Sequence, residues 1–233
     1  MFFKIRKKKN NLSDLLTIDD LKQKLVEKVI TSSDRKMFKI LFIDDEGYDI
    51  ETLKSLGYID ISKKYKYENM DDLLPYHIIF CDISGIAEEI DPVFQGAALA
   101  KIIKNTYPEK IVIIFSAKNQ SIEINQFYEH VDDIISKNIS PSEMAIKIDE
   151  YIKMSKDPLS FWYAMRKKLI KLQTNSKLVA ELEHYYVSSI LNNEDNSSII
   201  RSKETEFASE FFSLAINAIV KALATFMLSK FVG

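Results

Sequence analysis

Four short apolar runs in the first two-thirds of the chain constrain its fold more than any other feature. Lys39-Ile-Leu-Phe-Ile43 leads into Asp44 and Asp45, and His77-Ile-Ile-Phe-Cys81 leads into Asp82. Ile111-Val-Ile-Ile-Phe115 leads into Ser116, and Asp133-Ile-Ile135 passes through Ser136 into Lys137. The runs are mostly β-branched and aromatic, which is how strands read when helices cover both faces of a parallel sheet. Ligands of such sheets bind outside the carboxyl ends of the strands. Three carboxylates, a hydroxyl and an ammonium are therefore expected in one crevice.

The segments between the runs supply the remaining elements. A short helix is predicted over 50–56, stopped by Gly57, then a strand near 58–62 and a short helix near 69–74. Residues 96–106 read as a helix ended by Tyr107-Pro108, and 122–128 as another. Ser140-Pro-Ser-Glu143 is a capping box with proline at the first helical position, opening a fifth helix. Five strands and five helices with right-handed crossovers make a doubly wound α/β sheet.

Adjacent carboxylates repel one another unless a cation sits among them, and a hard divalent ion bound by oxygen suits them. Mg²⁺ is the expected ion. The hydroxyl and the ammonium are then left to hold the oxygens of an incoming phosphoryl group, whose transfer needs mainly positioning and charge neutralisation. On these residues the segment of about 37–154 resembles the receiver domain of bacterial two-component response regulators. The resemblance implies a flavodoxin-like fold, with the acidic pair at Asp44 and Asp45, the phosphoacceptor at Asp82, the hydroxyl residue at Ser116 and the lysine at Lys137. It implies Mg²⁺ on Asp44, Asp45, Asp82 and the backbone carbonyl of Ser84. It also implies a histidine kinase or phosphotransfer protein as partner.

The chain departs from the family pattern in three places. The loop after Asp82 runs from Ile83 to Gly96, longer than usual and without a Met-Pro pair, and its Glu88, Glu89 and Asp91 suggest an acidic lid near the site. Asn138 stands where the family has a proline after the lysine, and Ile134 where it has an aromatic switch residue. Two other readings stay open: a degenerate receiver that binds partners without phosphorylation, and a Mg²⁺-dependent phosphohydrolase with Asp82 as nucleophile. The hydrolase reading resembles the haloacid dehalogenase phosphatases, but Asp82-Ile83-Ser84 lacks their second acid and the acid pair comes first rather than late.

The net charge of -2 hides an uneven spread: residues 1–36 carry +5, residues 37–156 carry -8 and the remainder +1. No basic nucleic-acid surface is expected in the acidic central segment. The single cysteine, Cys81, excludes a disulfide framework and fits a reducing cytoplasm; it reads as a buried thiol, with a redox sensor beside Asp82 as the alternative. Met1-Phe-Phe-Lys-Ile-Arg-Lys-Lys-Lys9 lacks the apolar core of a signal peptide. It reads as a solvated basic arm or as a contact for an anionic membrane or nucleic acid. Behind it, Thr17 caps an amphipathic helix through Leu21, Leu25 and Ile30, which Ser32-Ser-Asp34 is expected to break. His77, His130 and His184 are scattered, with no metal-ligand spacing between them.

The organisation expected is an arm and helix over 1–36, a receiver-like domain over 37–156 and a helical module over 157–233. In that module, 159–173 and 177–191 read as amphipathic helices, and a final helix runs from about 199 to 231. From Phe211 on, its polar residues Ser213, Asn217, Lys221, Thr225 and Ser229 form one narrow stripe. Such an apolar helix packs inside a bundle or homo-oligomer, meets a membrane over 207–232, or docks on another protein. Lys221 at its centre would cost about 2.5 to 3.5 kcal/mol in a spanning helix. No helix-turn-helix signature is present, so DNA binding is not expected.

Overall fold

Strands β1 (Ile40–Ile43), β2 (Ile61–Lys64), β3 (Ile78–Asp82), β4 (Ile111–Ser116) and β5 (Asp133–Ser136) form one parallel sheet in the computed structural model, in the order β2-β1-β3-β4-β5. The structure describes residues 15–25, 29–46, 48–117, 126–207 and 209–231. The chain divides into two compact units: residues 27–161 form one, and residues 1–26 with 162–233 form the other.

Side chains of the sheet alternate between two cores, as the period of two requires. Leu41, Ile43, Ile79, Cys81, Val112, Ile114 and Ile134 share one cluster with Ala97, Leu99, Ala100 and Ile103 of a helix over Gln95–Thr106. Ile40, Phe42, Ile78, Phe80, Ile113 and Phe115 share the other with helices over Ile50–Ser55 and Pro141–Ser155. Helices thus cover both faces, and the sheet is the flavodoxin-like, doubly wound type expected. Phe42 and Phe80 stack at 4.3 Å with parallel rings, and Phe115 meets both edge-on. In chain order the helices of this unit are α2 (Ser32–Met37), α3 (Ile50–Ser55), α4 (Gln95–Thr106) and α5 (Pro141–Ser155), after α1 (Ile18–Lys22) of the other unit.

Several local expectations change. Strand β2 starts at Ile61 rather than Tyr58, which is fully buried with its hydroxyl shared between the Ala145 carbonyl and the Asp149 carboxylate, 2.7 Å from each. Ser32-Ser-Asp34 opens α2 instead of breaking a helix. Thr31 is its N-cap and Asp34 sits at N3 in a reciprocal capping box, so these residues satisfy first-turn N–H groups. Asp34 is then paired with Lys156, and Arg35 with Asp149, which ties α2 to the end of α5. The segment 69–74 contains only a single 3₁₀ turn, Asp71–Leu73. The helix expected over 122–128 lies outside the described residues through 125, and 126–130 are turns. The capping box of α5 forms as predicted, Ser140 accepting from the Glu143 N–H while Glu143 accepts from the Ser140 N–H.

The helical unit holds α6 (Pro158–Lys171) from Trp162 on, α7 (Ser176–Asn192), α8 (Ser197–Ser202) and α9 (Glu210–Phe231), together with α1. Helix α1 joins this unit through Leu16 and Ile18, whose N–H groups donate to His184 and Glu183 of α7. Trp162 stacks on Tyr186 at 5.1 Å, and Phe226 meets the same ring edge-on. The expected single helix from 199 to 231 is broken: Lys203–Glu206 makes a 3₁₀ turn and Phe207 is extended. Lys203 there is held between Glu181 and Glu206, which fixes the turn.

Among the described residues α9 is the one helix long and apolar enough to cross a membrane, and half of that stretch is buried inside the protein. Phe212, Ala215, Ile216, Ile219, Leu223 and Phe226 lie in the core, while Lys221 is exposed and Asn217 accepts from Arg201. The helix thus buries one side in the helical unit, while Ser213, Asn217 and Thr225 of its polar stripe are half-buried and Lys221 is exposed.

At the foot of the sheet, away from the strands' carboxyl ends, Lys110 is 4% exposed and donates to the carbonyls of Leu74 and Tyr76. Replacing it with Met leaves both acceptors short of a charged donor. Lys110→Met should lower unfolding free energy by about 2–3 kcal/mol, read as a shift of the urea midpoint.

Candidate functional site

The strand order reverses between β1 and β3, and the crevice at that switch point is where the predicted site residues come together. Asp44 follows β1 and is 1% exposed; its N–H donates to the Lys64 carbonyl, which continues the β1–β2 ladder. Asp82 ends β3 and is 5% exposed. Ser116 ends β4, buried, and pairs in register with Ser136 at the end of β5. Lys137 is the next residue, and its N–H donates to the Ser116 carbonyl at 2.8 Å. The polar residues that close the four apolar runs are therefore neighbours because their strands are neighbours.

Lys137 reaches back across the crevice. Its Nζ lies 2.6 Å from Asp82 Oδ2 and 2.9 Å from Asp44 Oδ2, and over the Phe115 ring at 5.9 Å from its centroid. The other Asp82 oxygen accepts from the Ile83 N–H at 2.7 Å, and Asp44 Oδ1 accepts from the Glu46 N–H at 3.0 Å. Burial pushes the Asp82 carboxyl above the usual range; Lys137 opposes that shift and the Asp44 charge adds to it. Burial alone would lower Lys137, but its hydrogen bonds to Asp82 and Asp44 outweigh this and hold the ammonium.

Ligand oxygens of Asp44, Asp45 and Asp82 all lie within 4.8 Å of one another. Two oxygens on one Mg²⁺ at about 2.1 Å each can be no more than about 4.2 Å apart, so a small side-chain adjustment brings the set into range. Asp45 is exposed, which leaves a side open for the waters that Mg²⁺ retains. An all-oxygen, partly hydrated donor set is the right chemistry for this ion, and the residues fit it.

Sequence reasoning missed what shapes this pocket. Gly85 has φ +75°, a conformation that favours glycine, and a Cβ there would lie 1.9 Å from Asp45 Oδ2, so a side chain would push that carboxylate aside. Gly96 passes so close to β3 that a Cβ would sit 1.6 Å from the Asp82 carbonyl oxygen, and its N–H donates to the Ile83 carbonyl. Gln95, at φ +40°, accepts from the Gly85 N–H at 2.8 Å and closes the loop on itself. A glycine on each side of an acidic loop was the available signal.

The loop expected to form an acidic lid is partly anchored in the core. Ile86 and Ala87 are buried in the α4 core, and Asp91 accepts from the N–H groups of Val93 and Phe94. Glu88 and Glu89 are exposed, as is Ser84. Ile134, where an aromatic switch would sit, is buried in the sheet. Cys81 is fully buried and its thiol is pushed far up by burial and by Asp82, so it is a core residue and not a reactive one. His77 accepts from the Lys39 N–H at 3.0 Å and packs on Phe38, a structural role.

No protein-family model and no curated protein sequence matches the chain. Solved structures similar to parts of it include the BeF₃-activated receiver domain of DrrB, 21% identical over 50% of this chain and 98% of that one, with a TM-score of 0.39. The response regulator receiver domain protein (CheY-like) from Methanospirillum hungatei JF-1 is 20% identical over 52% of this chain and 97% of that one, with a TM-score of 0.39. NtrX from Brucella abortus, in complex with ATP, is 16% identical over 82% of this chain and 40% of that one, with a TM-score of 0.41.

The raised Asp82 carboxyl has a consequence for stability. The folded chain keeps that proton to a higher pH than the unfolded chain, so charged Asp82 costs stability above this window and nothing below the ordinary carboxylate range. With divalent ions chelated, Asp82→Asn should raise the urea midpoint at neutral pH, and the difference from wild type should shrink as the pH falls below the ordinary carboxylate range.

Proposed function

We propose that the unit of residues 27–161 is a phosphoryl-accepting signalling switch of the response-regulator kind, with Asp82 as acceptor. What supports this reading above all is the Lys137 ammonium, after β5, held between Asp44 after β1 and Asp82 at the end of β3. The hydrogen bonds aim that cation at the carboxylate that would be modified, with Ser116 on the strand between them.

Asp44, Asp45 and Asp82 would hold Mg²⁺, which when bound supplies positive charge against the phosphoryl oxygens. The rest falls to the chain's own groups. An Asp82 carboxylate oxygen attacks the phosphorus and forms the new P–O bond of an acyl phosphate. The bond to the donor breaks, and its electron pair leaves with the donor: the imidazole of a phosphohistidine, or acetate from acetyl phosphate. The Lys137 ammonium follows an equatorial phosphoryl oxygen, exchanging its contact with Asp82 Oδ2 for one that carries more negative charge. The Ser116 hydroxyl donates to a second oxygen. A histidine kinase or a phosphotransfer protein is the partner that supplies the group.

The readout differs from a rotating aromatic ring, since Ile134 has neither the size nor the polar tip for it. The loop from Ile83 to Gln95 is the element bound to the acid cluster, through Gly85 against Asp45 and Ile83 on Asp82.

Incubation of the full chain with acetyl phosphate and Mg²⁺ should add one phosphoryl group by intact mass. EDTA or Asp82→Asn should abolish the addition. Gly85→Ala, which crowds Asp45, should raise the Mg²⁺ concentration needed by about tenfold or more. An unlabelled wild-type chain would leave a phosphorylation-independent binding module, and steady release of phosphate from a generic phosphomonoester would favour the hydrolase.

A further inference from the structure

The helical unit carries the charge opposite to that of the sheet-bearing unit. Residues 1–26 and 162–233 hold sixteen Lys or Arg against ten acids, a net of +6, while residues 27–161 hold sixteen against twenty-four, a net of -8. Residues 1–26 contribute +4 of that excess and residues 162–233 contribute +2; within the latter the cations gather in α6 and at the start of α7. Between Asp157 and Glu181 there is no acidic residue, but there are five cations: Arg166, Lys167, Lys168, Lys171 and Lys177.

Helix α6 sorts its residues cleanly. Trp162, Met165 and Leu169 are buried in the bundle. Tyr163, Arg166, Lys167, Ile170 and Lys171, spaced at three and four, lie together on one exposed face. Tyr163 is 46% exposed and Ile170 58%. Among the described residues no ion pair engages Arg166, Lys167 or Lys171, unlike Lys203 and Lys177 of the same unit.

A solvated helix face ordinarily mixes both signs of charge. A face with cations only, and with an aromatic and a β-branched side chain standing between them, matches a partner that is anionic at its surface and apolar just beneath. An anionic lipid bilayer has that layering. A nucleic acid offers the charge but no apolar depth for Ile170. The sequence ahead of α1 repeats the chemistry, with Phe2 and Phe3 followed by Lys4, Arg6, Lys7, Lys8 and Lys9.

We propose that the exposed face of α6 docks this protein on anionic membrane surfaces. Tyr163 and Ile170 enter the headgroup boundary, and Arg166, Lys167 and Lys171 lie over the lipid phosphates. This is lateral docking by a helix that remains part of the bundle, distinct from insertion of α9. It does not depend on the phosphoryl reading above.

The test is co-sedimentation of the full-length protein with vesicles of phosphatidylserine and phosphatidylcholine, against phosphatidylcholine alone. Binding is expected only to the anionic vesicles and should fall steeply with salt. The triple variant Arg166→Ser, Lys167→Ser, Lys171→Ser should bind about a hundredfold more weakly. The double variant Tyr163→Ser, Ile170→Ser should lose about tenfold. All five residues are exposed, so both variants should keep the wild-type circular dichroism and melting curve. Three results would overturn the proposal: equal binding to neutral vesicles, binding unaffected by the triple variant, or tighter binding to a duplex DNA oligomer than to anionic vesicles at the same salt.

Discussion

The ammonium of Lys137 is what the site depends on. Asp44 and Asp82 are both nearly inaccessible, and two carboxylates packed that closely repel one another with little water to screen them. One cation at 2.9 and 2.6 Å makes the arrangement tolerable. The sheet fixes where that cation stands. Lys137 follows β5, β5 pairs with β4, and the Lys137 N–H on the Ser116 carbonyl carries the ladder one step past the strand end. Beneath it, the stacked rings of Phe42 and Phe80 with Phe115 at their edge hold the ends of β1, β3 and β4 in register.

The price of that arrangement appears in Asp82, whose carboxyl is raised by burial in spite of the ion pair. A further cation beside Asp45 would relieve that excess of negative charge. Backbone geometry on the other side of the crevice makes room for it. Gly85 brings the loop against the Asp45 carboxylate, and Gly96 brings the start of α4 against the Asp82 carbonyl at a distance that no side chain would permit. Gln95 fastens the loop to itself, so the pocket wall is set by main chain and one amide.

How much of this the sequence carried depends on the kind of information involved. The strand ends were legible because chemistry and position coincide there: Asp44, Asp82, Ser116 and Lys137 each follow a run that can only be a buried strand. The capping box at Ser140 was legible for the same reason. Thr31-Ser-Ser-Asp34 carries an equally local signal, but Ser and Asp serve both turns and first helical turns, and the choice depended on Lys156 and Asp149 arriving from α5. The roles of Gly85, Gln95 and Gly96 were not legible, since what they accommodate comes from residues far off in the chain. The apolar circumference of α9 looked like a surface in search of a partner. Its partners are α7 and α8, and a single helix's composition cannot distinguish a bundle core from a membrane segment.

The most direct test of the account is chemical identification of the modified atom. An acyl phosphate on an aspartate is reduced by borohydride to homoserine, with loss of phosphate, whereas a phosphoester on Ser116 is not. The wild-type chain treated with acetyl phosphate and Mg²⁺, reduced and digested, should yield homoserine at position 82 and nowhere else. Reduction at another aspartate, or no homoserine in a protein that has gained a phosphoryl group, would contradict the assignment of Asp82 as the acceptor held by Lys137.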